Sequence, residues 1–447
     1  MRSNHGMSRR SFLRRSAALA AGALAAPQIV PSAVLGGAEG TAPSNRIVVG
    51  WIGTGSRGSG VMEEFLGHKD VQVVAACDTK KWALDGAKKR IDAHHGGNAC
   101  KVYKDFRELV GRKDIDAVLV ATTDHWHVLT SLAAVKSGKD VYCEKPMGLS
   151  MAECQALREA CHRYKRVFQF GTQQRSDGNF RLACELARNE KIGKLHTVNV
   201  WSPGSTSGGP TNVVPVPEGL DYERWLGPAP FKPHTQDRTS NAWWWFISDY
   251  ALGFIAGWGI HPIDIAAWGA GDKILSPVEV EGKGDFPKEG LCDTATNWRI
   301  ALKFANGLVI NFAGDPMPEE WSKRYPGIES HGTAFEGSEG WVHVNRGTIN
   351  SSIAGLTQSK IGPDGIHLIE SPGHARNFLD CVRSRKTAIC DIDEAVRSES
   401  LCQVSEIAIR LGRKVKWDPK TETFPGDEEA NRRLTRAMRS PWSLAGG

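Results

Sequence analysis

Apolar positions along the chain fall into two regimes. From residue 47 to about 170, short apolar runs alternate with helical stretches: Ile47 to Ile52, a helix from about Gly58, Val71 to Cys77, a helix from about Lys80, then Ala117 to Ala121. Continuous apolar runs separated by helices are what a parallel sheet with both faces covered requires. After Asp140 to Cys143, the segment Ser150-Met151-Ala152-Glu153 is a capping box and predicts a helix to about Tyr164. From about Lys194 the pattern shifts to longer β segments. Asn297 to Phe304 and Leu308 to Phe312 flank Asn306-Gly307, a hairpin signal, and Ala334 to Glu336 and Trp341 to Val344 flank a second glycine-rich turn. Helices over His374–Ser384 and Asp393–Leu411 follow, with Gly412 as the stop. The expectation is an α/β domain over 46–170, an α+β domain with a large open, mostly antiparallel sheet over 171–417 (closing helices 374–411), and a tail, 418–447, that the pattern does not place.

The N-terminus adds a different signal. Arg9-Arg10, then Phe12-Leu13 and an Ala/Leu-rich stretch from Ala17 to Ala26, predict an export signal over 1–37 of the twin-arginine type, which would engage machinery that carries folded proteins. Residues 38–45 predict a linker. The expected location is periplasmic or extracellular. The formal net charge of +6 includes the five arginines of residues 1–37, a segment without Asp or Glu, so the remainder stands at +1. That leaves no net-charge argument for nucleic acid. No apolar run of about 18 residues lies beyond the signal, so no mature membrane span is expected. Ten cysteines without a C-x-x-C pair predict buried thiols rather than a disulfide framework or a zinc site.

Candidate chemistry begins at Gly53-Thr54-Gly55-Ser56-Arg57-Gly58, which directly follows the first apolar run and opens a helix. In that order the glycines permit a tight turn, close phosphate approach and close helix packing, while the helix N-terminus holds a pyrophosphate. Asp78 ends the next strand, 20 residues past Gly58, where an acid bonds a ribose 2′ hydroxyl; this favours NAD and leaves NADP open.

Further segments make a family resemblance: Ala121-Thr122-Thr123-Asp124-His125-Trp126-His127, Glu144-Lys145-Pro146, Gly171-Thr172-Gln173-Gln174-Arg175, and Gly257-Trp258-Gly259-Ile260-His261-Pro262-Ile263-Asp264. Over roughly Arg46 to Trp442 the chain resembles the Gfo/Idh/MocA oxidoreductases. The resemblance implies a Rossmann domain binding a nicotinamide dinucleotide through the glycine loop, Asp78, Thr122, Asp124, His127, Glu144, Lys145 and Gln173. It also implies that Glu144 and Lys145 contact the nicotinamide and that His261 and Lys145 are catalytic. The family's aspartate four residues before the histidine is replaced by Gly257, a departure from the pattern. Pro262 as first helical residue would put His261 at an N-cap, where the helix dipole keeps it neutral.

Arg175, Trp244, Trp258 and Asp264 complete the candidate set as substrate contacts, Asp264 either orienting the site or neutralising a helix turn. In Trp243-Trp244-Trp245-Phe246, a strand would let only alternate rings reach a sugar, and core packing or a subunit interface stays open. No metal-ligand spacing stands out. The resemblance implies oxidation or reduction of a secondary hydroxyl of a sugar, glycoside or polyol. Outside the cytoplasm the cofactor would have to stay tightly bound and be recycled. Two alternatives remain: a glycosidase that oxidises, eliminates and reduces, and a sugar-binding protein without catalysis. A homo-oligomer is also left open.

Overall fold

The computed structural model describes residues 45–98 and 100–445, so the expected export signal, and all of the linker but Asn45, lie outside the described residues. The alternating region forms a parallel sheet ordered β3-β2-β1-β4-β5-β6, from β1 (Ile47–Ile52), β2 (Val71–Cys77), β3 (Lys101–Tyr103), β4 (Ala117–Val120), β5 (Asp140–Cys143) and β6 (Phe168–Phe170). Helices of ten or more residues are numbered in chain order; those here are α1 (Ser56–Leu66), α2 (Lys81–His95), α3 (Asp124–Lys136) and α4 (Met151–Tyr164). The strand order reverses at β1 and β4, which opens a crevice at their carboxyl ends, where ligands of open α/β sheets bind.

Local chemistry fixes these elements. Helix α1 starts at Ser56, earlier than the expected Gly58, because Gly55 is the extended cap residue ahead of it. At α4 the Ser150 hydroxyl accepts the Glu153 N–H at 3.4 Å, and the Glu153 carboxylate accepts the Leu149 N–H at 2.6 Å, so the box closes one residue further out than the standard pattern.

The second sheet is ordered β13-β12-β11-β7-β10-β9-β8-β14 and comprises β7 (Leu195–Trp201), β8 (Val278–Asp285), β9 (Asn297–Phe304), β10 (Val309–Ala313), β11 (Gly332–Gly337), β12 (Trp341–Val344), β13 (Ile349–Ser351) and β14 (Val415–Trp417). All neighbours pair antiparallel except β7 with β10. Gly307 turns the β9–β10 hairpin at φ +90°, a conformation that favours glycine. Helices α5 (Gly178–Arg188), α6 (Ile260–Ala270) and α8 (Ile392–Leu411) pack on this sheet and on one another. Every residue of α6 is buried, which is why it shows no polar stripe. Helix α7 (His374–Ser384) instead packs on the first domain, its Phe378 meeting Phe65 and Tyr142 edge to face.

The tryptophan run is not a strand. Trp244–Phe246 form a short 3-10 turn, so the alternation argument does not apply to them. All ten cysteines are free and buried. Among the described residues no helix is long and apolar enough to cross a membrane, and no cluster of His, Cys, Asp and Glu is placed to hold a metal.

Candidate active site

The glycine loop behaves as the pattern requires. Gly53 sits at φ +88°, and a Cβ there would lie 2.4 Å from the Ala121 backbone; one on Gly58 would lie 2.1 Å from the Gly53 carbonyl oxygen. A Cβ on Gly55 would meet nothing within 4 Å, so the chain is bare where a phosphate has to approach. Helix α1 has no side-chain cap and no acid in its first turn, leaving its positive end to a ligand. Asp78 lies beside this loop, its carboxylate accepting the Thr54 N–H at 2.7 Å, the Thr54 hydroxyl at 3.0 Å and the Lys80 N–H at 2.9 Å. It braces the loop as well as lining the cleft. The neighbouring lysines are engaged elsewhere, Lys80 with the Thr239 carbonyl at 2.6 Å and Lys81 with Asp85.

From this loop a cleft runs along the crevice, with Thr122, Asp124, His127, Glu144 and Lys145 on its wall. His127 is buried and its ring nitrogens lie 2.6 Å from the Pro146 carbonyl and 3.1 Å from that of Thr122. Burial lowers its pKa, and a neutral ring has a single N–H, so it donates to one of these two carbonyls, between the loops that end β4 and β5. Glu144 accepts from Arg57 and from Gln173, each at 2.8 Å, through one oxygen; its other oxygen is buried without a partner. An orphaned buried acceptor costs free energy unless a ligand supplies a donor. The bare glycine, the uncapped helix and this oxygen therefore fit a dinucleotide lying along the cleft.

Two segments distant in sequence cover that cleft. The stretch 219–245 crosses from the second domain, with the Lys81 N–H on the Gly219 carbonyl at 2.8 Å and the Asn241 amide on the Ser56 hydroxyl at 2.8 Å. The C-terminal tail, unplaced by periodicity, is the second cover. Its Arg439 N–H bonds the Pro228 carbonyl at 2.8 Å, and Trp442 lines the cleft, its ring 4.7 Å from that of Trp126 with the Arg107 guanidinium above it.

At the far end stand the catalytic candidates. Lys145 donates to the Gly257 carbonyl at 2.6 Å and lies 5.7 Å from the Trp245 ring. Burial lowers its pKa, while Glu144 and Asp124 act in the opposite sense. Asp124 is fully buried and shifts upward for the same reason, with Lys145 opposing. Gly257 has room for a side chain, since a Cβ would meet only Phe254, at 3.6 Å. His261 is the second residue of α6, not its cap; the cap is Gly259, and Pro262 is the third helical residue. The expectation of a neutral imidazole stands on another cause. Burial comes first, then the positive charges of Lys145, Arg346 and Arg57, and together they hold its pKa well below the usual value. Its Nδ1 is buried without a partner. The Trp258 ring lies 5.4 Å from it, with His331 on the same ring at 4.7 Å and the Arg346 guanidinium over it at 4.7 Å.

Two expected substrate contacts are placed otherwise. Arg175 and Asp264 form a bidentate pair at 2.8 and 2.7 Å, with side chains 1% and 0% exposed, and Ser398 donates to the same carboxylate at 2.7 Å. With no surface left for a ligand, they join the 3-10 turn Gln173–Ser176 to α6 as a core pair. Trp244 is mostly buried, packed with Tyr222, Trp225 and Tyr250, and also lines the cleft; its neighbour Trp245 is the ring that faces Lys145. Sequence reasoning missed Arg346, His331 and Trp442, which lie in loops and turns without a motif, while Trp245 belongs to the tryptophan run it singled out.

Residues 47–172 match the family described as "Oxidoreductase family, NAD-binding Rossmann fold", and residues 199–444 match "Oxidoreductase family, C-terminal alpha/beta domain". The chain is 26% identical over 263 residues to a myo-inositol 2-dehydrogenase of Thermotoga maritima, covering 58% of this chain and 65% of that protein. It is 30% identical over 180 residues to an alpha-N-acetylgalactosaminidase of Shewanella oneidensis, covering 36% of this chain and 38% of the other. The chain thus spans under two thirds of the length of each of these relatives. An aldose-aldose oxidoreductase from Caulobacter crescentus shares the fold, with a TM-score of 0.60, 18% identity, and 83% and 99% of the two chains covered.

Proposed function

Since the chain belongs to the Gfo/Idh/MocA oxidoreductase family, whose NAD-binding Rossmann domain it carries, we propose that it oxidises and reduces a secondary hydroxyl of a sugar, glycoside or polyol. The observation that carries this reading is the meeting of Lys145, from the carboxyl edge of the parallel sheet, with the Gly257–His261 segment of the second domain, across a hydrogen bond of 2.6 Å. NAD held along the glycine loop, Asp78 and Glu144 would supply the hydride acceptor and donor. His261, neutral and with an open nitrogen, takes the hydroxyl proton. Lys145 spends one N–H on Gly257 and keeps two for the substrate oxygen as negative charge develops on it. The two covers over the cleft support a cofactor that stays bound between turnovers. That suits the exported, folded precursor which Arg9-Arg10 and the following apolar stretch suggest.

A second reading is favoured by the similarity to the alpha-N-acetylgalactosaminidase: transient oxidation, elimination of the glycosidic bond and re-reduction, without net redox change. Mass spectrometry on a panel of glycosides and free sugars separates the two. An accumulating ketone supports the oxidoreductase, a cleaved glycoside supports the glycosidase, and unchanged substrates with bound sugar refute both. Purified protein is expected to carry NAD(H) without any being added, and its absence from a denatured extract refutes the retained-cofactor reading.

A further inference from the structure

The charges at the catalytic end do not balance. Arg57 is paired with Glu144, and Lys145 has Glu144 and Asp124 within its field. Arg346 has no such partner. Among the described residues no carboxylate lies within ion-pair distance of it, and Glu329, the acid whose field reaches it, is exposed to water and screened. The segment from Phe254 to Ile263, which carries His261 and forms the wall opposite Lys145, contains no Asp or Glu. What Lys145 meets there is a backbone carbonyl, which accepts a hydrogen bond without cancelling a charge.

Arg346 is also held in place. It sits in the β12–β13 connection, exposed to solvent, and its guanidinium lies over the Trp258 ring at 4.7 Å. Cation–π attraction holds the guanidinium against the indole, and its N–H groups stay able to bond outward. The same indole touches His261 and His331, and both rings carry buried nitrogens without partners. A hydroxyl-rich ligand placed here would therefore meet polar atoms in need of hydrogen bonds and one uncompensated cation.

We propose that the substrate carries a carboxylate, and that Arg346, stacked on Trp258, receives it: a sugar acid rather than a neutral sugar. This rests on the oxidoreductase reading for the identity of the site, though not for its charge. A planar fork offering two parallel N–H bonds matches a carboxylate. Arg346, whose field is met only by an exposed acid, offers one fork for the single charge of a carboxylate. The arrangement has a chemical benefit as well. Arg346 is one of the cations that disfavour protonation of His261, and a carboxylate seated on it offsets that effect, so the arriving substrate makes the imidazole a better base. A neutral sugar cannot do this.

The test is calorimetric titration of the purified full chain, with the cofactor it retains, against matched probes: glucose with glucuronate, galactose with galacturonate, and glucose 6-phosphate. At least one uronate is expected to bind roughly ten- to a hundredfold more tightly than its parent hexose, the range for one charge-assisted hydrogen-bonded pair. Arg346→Gln is expected to abolish that preference, bringing the uronate down to the affinity of its parent hexose in the same variant, and Arg346→Lys to restore part of it. Because Arg346 is exposed, the variants are expected to keep the wild-type melting temperature, and a collapse in both would be circumvented by competing the uronate with salt in the wild type. Equal affinity within each pair, a preference that survives Arg346→Gln, tighter binding of the phosphate, or no binding of any probe each overturns the proposal. Binding does not need hydride transfer: uronate-selective binding without nicotinamide reduction would refute the oxidoreductase reading and leave the carboxylate site standing.

Discussion

The two ends of the cleft are built on opposite principles. At the glycine-loop end, the groups that hold a dinucleotide lie within one β1–α1–β2 unit, and Asp78, Thr54 and Lys80 satisfy one another. At the catalytic end, Lys145, His261 and Arg346 come from three segments far apart in sequence, and His261 and His331 keep nitrogens without partners. The first end satisfies its side chains within itself and leaves the uncapped start of α1 to a ligand. The second stores unsatisfied polar atoms and excess positive charge, a cost a protein keeps when a substrate repays it.

The sharpest way to break this contrast is to remove the catalytic groups. Lys145→Ala and His261→Ala are expected to keep the nucleotide, held at the other end, yet lose hydride transfer by roughly 10² to 10⁴-fold. Single-turnover absorbance at 340 nm measures the loss, and wild-type rates in both variants would refute their roles. A smaller effect is expected where the tail covers the glycine-loop end. Trp442→Ala removes a ring that meets Trp126 and Arg107, and nucleotide should leave roughly two- to tenfold faster on dialysis, the worth of one aromatic contact. An unchanged loss rate would mean the tail packs on the cleft without retaining its contents.

Asp78→Ala should narrow the preference for NAD over NADP by a few-fold in calorimetry on stripped protein, because the carboxylate faces the ribose position while also bracing Thr54. Wild type binding NADP more tightly would contradict the assignment.

The mildest change concerns Glu399, on α8 behind Lys145, which accepts the Met147 N–H at 3.2 Å. Burial pushes its pKa up from 4.5 to about 8. A carboxyl raised in the folded state contributes stability that is fully present below its ordinary value and is lost as pH rises through the folded one. Glu399→Gln keeps the neutral shape. Its melting temperature should therefore gain on wild type by a few degrees between about pH 5 and pH 9; a constant difference would show that Glu399 is ionised throughout.

Much of the molecule was determined by the chain alone, because its signals are local. The glycine loop, the capping box at Ser150, the Asn306-Gly307 hairpin and the Gly412 stop each concern residues within one turn or one hairpin, where backbone sterics and short hydrogen bonds decide. Lys145 and His261 were legible through motifs. Only the tertiary structure decided that Arg175 and Asp264 consume each other in the core, that Trp245 rather than Trp244 faces the lysine, that the tail lies over the cleft, and that Arg346 reaches Trp258. The physical reason is common to all four. A charge or a ring becomes a ligand contact or a core contact according to which distant surface packs against it, and burial, which sets both its solvation and its pKa, is a property of that packing and has no local periodicity in the sequence.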